Sequence, residues 1–128
     1  YCGAKHPLFG ADHSALTWDA LRAHQFAGLG YHSPNMQLSH SARLPRKATG
    51  FDQESIATLV LSGRYLGFLP DHYAENFQRQ GLMQAVLPTQ FFYPCQFVSV
   101  LRKSPQPPRA AQAFAQCLVE AHLVGTAA

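Results

Sequence analysis

Residues 50–70 read as one β-α-β crossover: a strand end, a capped helix, a glycine stop and a buried strand. Asp52 stands where its carboxylate can cap the orphan amides of the helix, in which Ile56, Leu59, Val60 and Gly63 share one side. Gly63 supplies the left-handed position that ends it, and Tyr65 to Leu69 follow as a strand. A crossover of this kind makes the chain α/β. In open α/β folds, ligands bind where strand carboxyl ends meet helix amino ends, which points to Phe51–Ser55 and to Phe68–Pro70.

The remaining composition narrows the class. A chain of 128 residues is one ordinary domain or a piece of one, and 47% apolar residues make it globular material. No apolar run approaches the roughly 18 residues of a membrane span. Charged residues are 13% of the chain against roughly 25% in typical soluble domains. A surface so filled with Gln, His and Ser favours contact with protein. The net charge of +3 is scattered, with local pairs only at Arg46-Lys47 and Arg102-Lys103, so this segment carries no basic stripe for nucleic acid. Cys2, Cys95 and Cys117 are odd in number and far apart, which predicts buried thiols in a reducing, cytoplasmic setting. Tyr1-Cys2-Gly3 reads as the end of a strand, so a fragment of a longer protein is expected.

Taken in order, His6-Pro7 is a turn, and Thr17 caps a short helix from Trp18 to Ala23 with Trp18 and Leu21 facing the core. Phe26 to Tyr31 is a strand that ends at the polar loop His32-Ser33-Pro34-Asn35, a second candidate ligand wall. Met36 to Leu44 shows neither helical nor strand periodicity and reads as a loop or distorted turn. Arg46 to Phe51 is the strand feeding the crossover. Asp71 is expected to cap a helix to Arg79, with Gly81 as its stop, and Leu82 to Leu87 is a short strand. Gln96 to Leu101 is dense in apolar and β-branched residues and reads as another strand. After Pro105, Pro107 and Pro108 comes a final helix whose stripe of Ala111, Phe114, Ala115, Leu118, Val119 and His122 must pack on something.

Few motifs carry chemistry. Gly28-Leu29-Gly30 lacks the following helix of a dinucleotide fingerprint and reads as glycines that let a strand approach its neighbour. The seven histidines include no metal-ligand spacing, so no metal and no cofactor are expected. Cys95 and Cys117 lie in apolar runs as small hydrophobes, and Leu61-Ser62-Gly63 is not a nucleophile elbow. Asp52 and Glu54 diverge at a helix start, and Asp52 reads as a cap. What remains is a cleft of helix amides, hydroxyls and aromatics suited to a small anion or polar molecule. No catalytic residue is assigned. An enzyme with His32 or His72 as general base would need an oriented partner that the sequence does not show.

Three groups of residues carry a family likeness: Tyr1-Cys2-Gly3 with His6-Pro7-Leu8-Phe9, Leu16 to Leu21 with Phe26 to Tyr31, and Ser62 to Ala74. In their order and spacing the chain resembles the effector-binding domain of LysR-type transcriptional regulators. The resemblance implies a type 2 periplasmic-binding-protein-like fold, with two α/β lobes around a cleft for a small inducer. The chain then corresponds to the second lobe, a return strand near Phe97 to Leu101 and a closing helix from Pro108 to His122 that packs on the first lobe. The first lobe and the amino-terminal winged helix-turn-helix lie outside it. Inducer contacts implied are Tyr31, His32 and Ser33, then Phe51, Asp52, Gln53 and Ser55, then Phe68, Leu69 and Pro70. The resemblance further implies a small organic effector, a carboxylate or other small polar or aromatic molecule. Homo-oligomerisation is implied too, as are DNA contact only through the amino-terminal domain, and neither enzyme activity nor a membrane. A solute-binding receptor of the same fold class is the alternative, and it would need an export signal.

Overall fold

The computed structural model describes residues 1–124 and divides into two units, Tyr1–Pro94 and Cys95–Ala128. In the first, β2 (Phe26–Leu29) is flanked in parallel by β3 (Arg46–Gly50) and β4 (Leu66–Gly67), in the order β3-β2-β4. To pass from β3 to β4 the chain must cross β2, and α3 (Gln53–Leu61) does so, packing on all three strands. Tyr1 and Gly67 exchange two backbone hydrogen bonds, 2.8 and 3.2 Å long. These carry the pairing on to β1 (Cys2–Gly3), which lies antiparallel to β5 (Met83–Gln84).

Alternation along β2 builds two cores, because successive strand side chains point to opposite faces. Ala27 and Leu29 join Ile56, Ala57, Val60 and Leu69 beneath α3. Phe26 joins Leu21, Leu66, Val86 and Phe91, with Trp18 stacked edge-on to Phe91 at 4.7 Å. The helix that does the crossing is set by its ends. Asp52 accepts a hydrogen bond from the Ser55 N–H at 2.7 Å, and Gly63 turns the chain at φ +76°. Thr17 caps α1 (Trp18–Leu21) in the same way.

Several expectations are corrected. Residues 36–41 are not a loop but most of α2 (Pro34–Ser41): Ser33 accepts from the Met36 N–H, and Pro34 sits in the first turn. Its largely polar sequence carries no apolar stripe, so the start signal was in the cap and not in the periodicity. Helix α4 (Asp71–Arg79) starts without a side-chain cap, because Pro70 and not Asp71 holds the N-cap position; the Asp71 carboxylate accepts from the Tyr1 hydroxyl at 2.7 Å. Residues 96–101 form no strand; Phe97, Val98 and Val100 are exposed. A β-branched run becomes a strand only where a neighbouring edge completes its hydrogen bonds. The stripe of α5 (Arg109–Val124) has Phe114 and Val119 exposed, and His122 is exposed as well. Of the thiols only Cys2 is buried; Cys95 and Cys117 lie outside both cores.

His6, a turn residue by sequence, is 5% exposed, with its ring 5.0 Å from that of His24. The Leu8 N–H donates to its Nδ1 at 3.1 Å. Burial, and then the His24 ring, push its pKa from 6.5 down to about 4. The folded form therefore excludes a proton that the unfolded chain binds, so stability is complete above the unfolded value and falls as pH drops from 6.5 towards 4. The loss amounts to roughly 3 kcal/mol at most, and to about 1–2 kcal/mol once solvent screening at the ring edge is allowed for. In His6→Asn, whose side-chain oxygen can still receive the Leu8 N–H, urea midpoints fall less over that pH range than in the parent. Parallel declines in the two proteins would show that another group drives the loss.

Candidate functional site

The carboxyl ends of β2 and β3 are tied together by the Gly30 N–H, which donates to the Gly50 carbonyl at 2.8 Å. Gly30 leaves room for the next residues: a Cβ there would lie 2.7 Å from both the Phe51 ring and the Thr49 methyl. Phe51 thus lies over the end of β2. It is 71% exposed, and Tyr31 is 45% exposed. Two aromatic faces therefore meet solvent at one edge of the sheet.

Behind them stand two helix starts. At α2, Ser33 caps and Pro34 brings no N–H, while exposed His32 lies 3.3 Å from the Gln37 side chain. At α3, Asp52 caps, and the backbone N–H and hydroxyl of Ser55 hold its carboxyl below the ordinary carboxylate range. The two starts differ electrostatically. A negative group meets the Asp52 charge at α3 and no carboxylate on the helix at α2.

The end of β4 is different. Leu69 is 7% exposed and belongs to the core beneath α3. Phe68 is half-buried in an aromatic row, edge-on to Phe26 at 5.6 Å and to Tyr93 at 5.3 Å. Pro70, at the start of α4, is half-buried as well. The structure thus brings Tyr31, His32 and Ser33 beside Phe51, Asp52, Gln53 and Ser55, and turns the side chains of Phe68 and Leu69 inward.

The sequence marks Asn35 only as a residue of a polar turn. It is 1% exposed, its Oδ1 accepts from the Leu29 N–H at 3.3 Å, and its Nδ2 has no partner. The Gln53 Oε1 is buried and unpartnered too. The Ser33-Pro34 pair, read as a helix start, would have placed Asn35 in the first turn against β2. Arg46 adds a third polar group, donating to the Leu29 carbonyl at 3.1 Å. Among the described residues no three His, Cys, Asp or Glu side chains gather as a metal cluster. No helix of the described residues is long and apolar enough to cross a membrane.

Against known proteins, the chain is 28% identical over 118 residues to the HTH-type transcriptional activator BauR of Pseudomonas aeruginosa. That alignment covers 92% of the chain but only 39% of the relative. No solved structure matches the chain at a comparable level of significance. The model of the LysR substrate binding domain matches residues 1–122, and that family has the type 2 periplasmic-binding-like fold, in keeping with the mixed α/β architecture found. A match running from β1 almost to the end of α5 makes the chain a member of the LysR substrate-binding domain family.

Proposed function

We propose that the chain senses a small effector as the second lobe of a two-lobed domain in a LysR-type transcription regulator. The observation that carries this reading is the exposed pair Tyr31 and Phe51 between two capped helix starts, with hydroxyls at Ser33 and Ser55. Such an edge binds and orients a ligand, and supplies no acid–base pair for turnover. The effector is a small carboxylate with a flat apolar body. Its body lies between Tyr31 and Phe51, and its charge lies on the His32–Ser33 side, away from Asp52. Gln53 and Pro70 border the site, and the Phe68-Leu69 side chains hold its floor from below.

The other wall belongs to a first lobe outside this chain, which also covers the exposed Phe114 and Val119 of α5. Leaving such side chains in water forgoes roughly 1.5–3 kcal/mol each, so a cover for that face has a strong driving force. Effector binding closes the lobes and shifts the population of homo-oligomer arrangements, which changes how separate DNA-binding domains of the cytoplasmic protein sit on DNA. Calorimetry of the full-length protein against a panel of small mono- and dicarboxylates tests this. At least one acid binds saturably, and Phe51→Ala weakens it about tenfold or more. No heat from any acid, or a binder indifferent to Phe51→Ala, would refute the reading.

A further inference from the structure

At the opposite end of the sheet, where β2 and β4 begin, a hollow of about 340 Å³ is lined by His6, Pro7, Ala23, His24, Gln25, Gly63 and Arg64. No carboxylate lines it. The Arg64 guanidinium is exposed and takes part in neither ion pair of the described residues, Arg22–Asp19 and Arg79–Glu75. Lys5 stands at its margin, because a Cβ on Gly63 would fall 2.5 Å from the Lys5 Cβ and 2.9 Å from its backbone carbon. That close approach, made at φ +76°, presses the Lys5-His6 turn against the Gly63-Arg64 turn.

The His6 imidazole is set as a donor. The Leu8 N–H occupies Nδ1 of His6, which assigns the ring proton to Nε2, and no hydrogen bond within the described residues uses that Nε2–H. His24 packs against the same ring. Donors thus converge from three separate segments: the turn after β1, the approach to β2 and the turn before β4. Burial first, and then the neighbouring His24, hold the His6 pKa down, so the His6 ring is neutral and contributes a hydrogen-bond donor and not a charge.

We propose that this hollow binds a phosphate group, held by the Arg64 guanidinium fork and by the His24 and His6 rings. Donors arriving from several directions suit a tetrahedral oxyanion better than a planar carboxylate, and the Arg fork matches two phosphate oxygens at once. The volume is at the lower end of the roughly 300–1,000 Å³ of small-molecule sites, enough for a phosphate with a small organic group attached. The site lies at the other strand ends from Tyr31 and Phe51, so it stands or falls independently of the effector reading.

Calorimetry of the full-length protein at fixed ionic strength, with inorganic phosphate and with glycerol 3-phosphate, tests it. Saturable binding of about one phosphate group per chain is expected. Arg64→Gln weakens it about tenfold or more, the loss of one charged hydrogen-bonding partner. His24→Gln weakens it several-fold, and Arg79→Gln leaves it unchanged. Tighter binding of glycerol 3-phosphate identifies an ester as the ligand; equal or weaker binding identifies free phosphate. Heats that do not saturate for either compound overturn the proposal. So does an equal response to Arg64→Gln and Arg79→Gln, which would mark general charge screening.

Discussion

Ile56→Ala lowers the stability of the domain by about 3–4 kcal/mol, within the range of large-to-small changes in tight cores. Ile56 is fully buried on the inner face of α3, and its methyl groups fill space that two glycines leave open. A Cβ on Gly67 would sit 3.0 Å from the Ile56 Cγ2, and one on Gly50 would sit 3.0 Å from its Cδ1. The side chain therefore touches the ends of both β3 and β4. Glycine backbones cannot lean in to refill the space, so the cavity persists and its cost adds to the lost transfer energy. Urea unfolding with an unchanged slope and a lowered midpoint is the expected observation, with Ile56→Val losing only about 0.5–1.5 kcal/mol. A loss below about 1 kcal/mol for the alanine variant would mean that the helix settles onto the sheet after all.

Gly3→Ala acts by excess rather than by deficit. Its Cβ would lie 2.3 Å from the Val60 carbonyl oxygen and 3.1 Å from the Leu61 Cα, both backbone atoms that no rotamer change removes. Either β1 or the end of α3 must move, and both are tied elsewhere: β1 to β5, and α3 to all three parallel strands. We expect a loss of about 3 kcal/mol, the upper part of the range for overpacking. Gly10→Ala is the control. Unlike Gly3, Gly10 has a positive φ, of 71°, and nothing lies within 4 Å of its added Cβ, so only backbone strain of about 1–2 kcal/mol applies. Equal losses at the two positions would show that contact with Val60 is not what Gly3 avoids.

The parts legible in the sequence were those written locally. Asp52 and Thr17 as caps, Gly63 and Gly81 as stops, and the strand centres at Phe26–Leu29 and Arg46–Gly50 all depend on residues close in the chain. Helix α2 was hidden because periodicity needs an apolar stripe, and its packing on β2 instead uses Asn35 and Ser39, which are polar and buried. Asp71 has the residue type of a cap, but the helix begins one position earlier than that reading needs, with Pro70 at the N-cap, and the Asp71 carboxylate meets the Tyr1 hydroxyl 70 positions away. The edge with Tyr31 and Phe51 was legible from topology alone, since parallel strands put their carboxyl ends together. Which side chains at that edge point outward was not, because Phe68 turns inward to Phe26 and Tyr93 through contacts that local pattern does not encode.

The exposed run at 96–101 bears on solubility. Gln96-Phe97-Val98-Ser99-Val100-Leu101 is six residues without charge or proline and with high β-propensity, the composition of segments that stack into cross-β fibrils. Pro94 before it and Arg102-Lys103 after it act as gatekeepers that limit such stacking at its ends. At the margin of the parallel sheet, β3 carries the exposed cation Lys47, which repels a second copy of the same edge, while the Arg46 side chain lies across β2. The chain thus guards its sheet margin with like charge, and leaves its stickiest hexapeptide guarded only at the flanks.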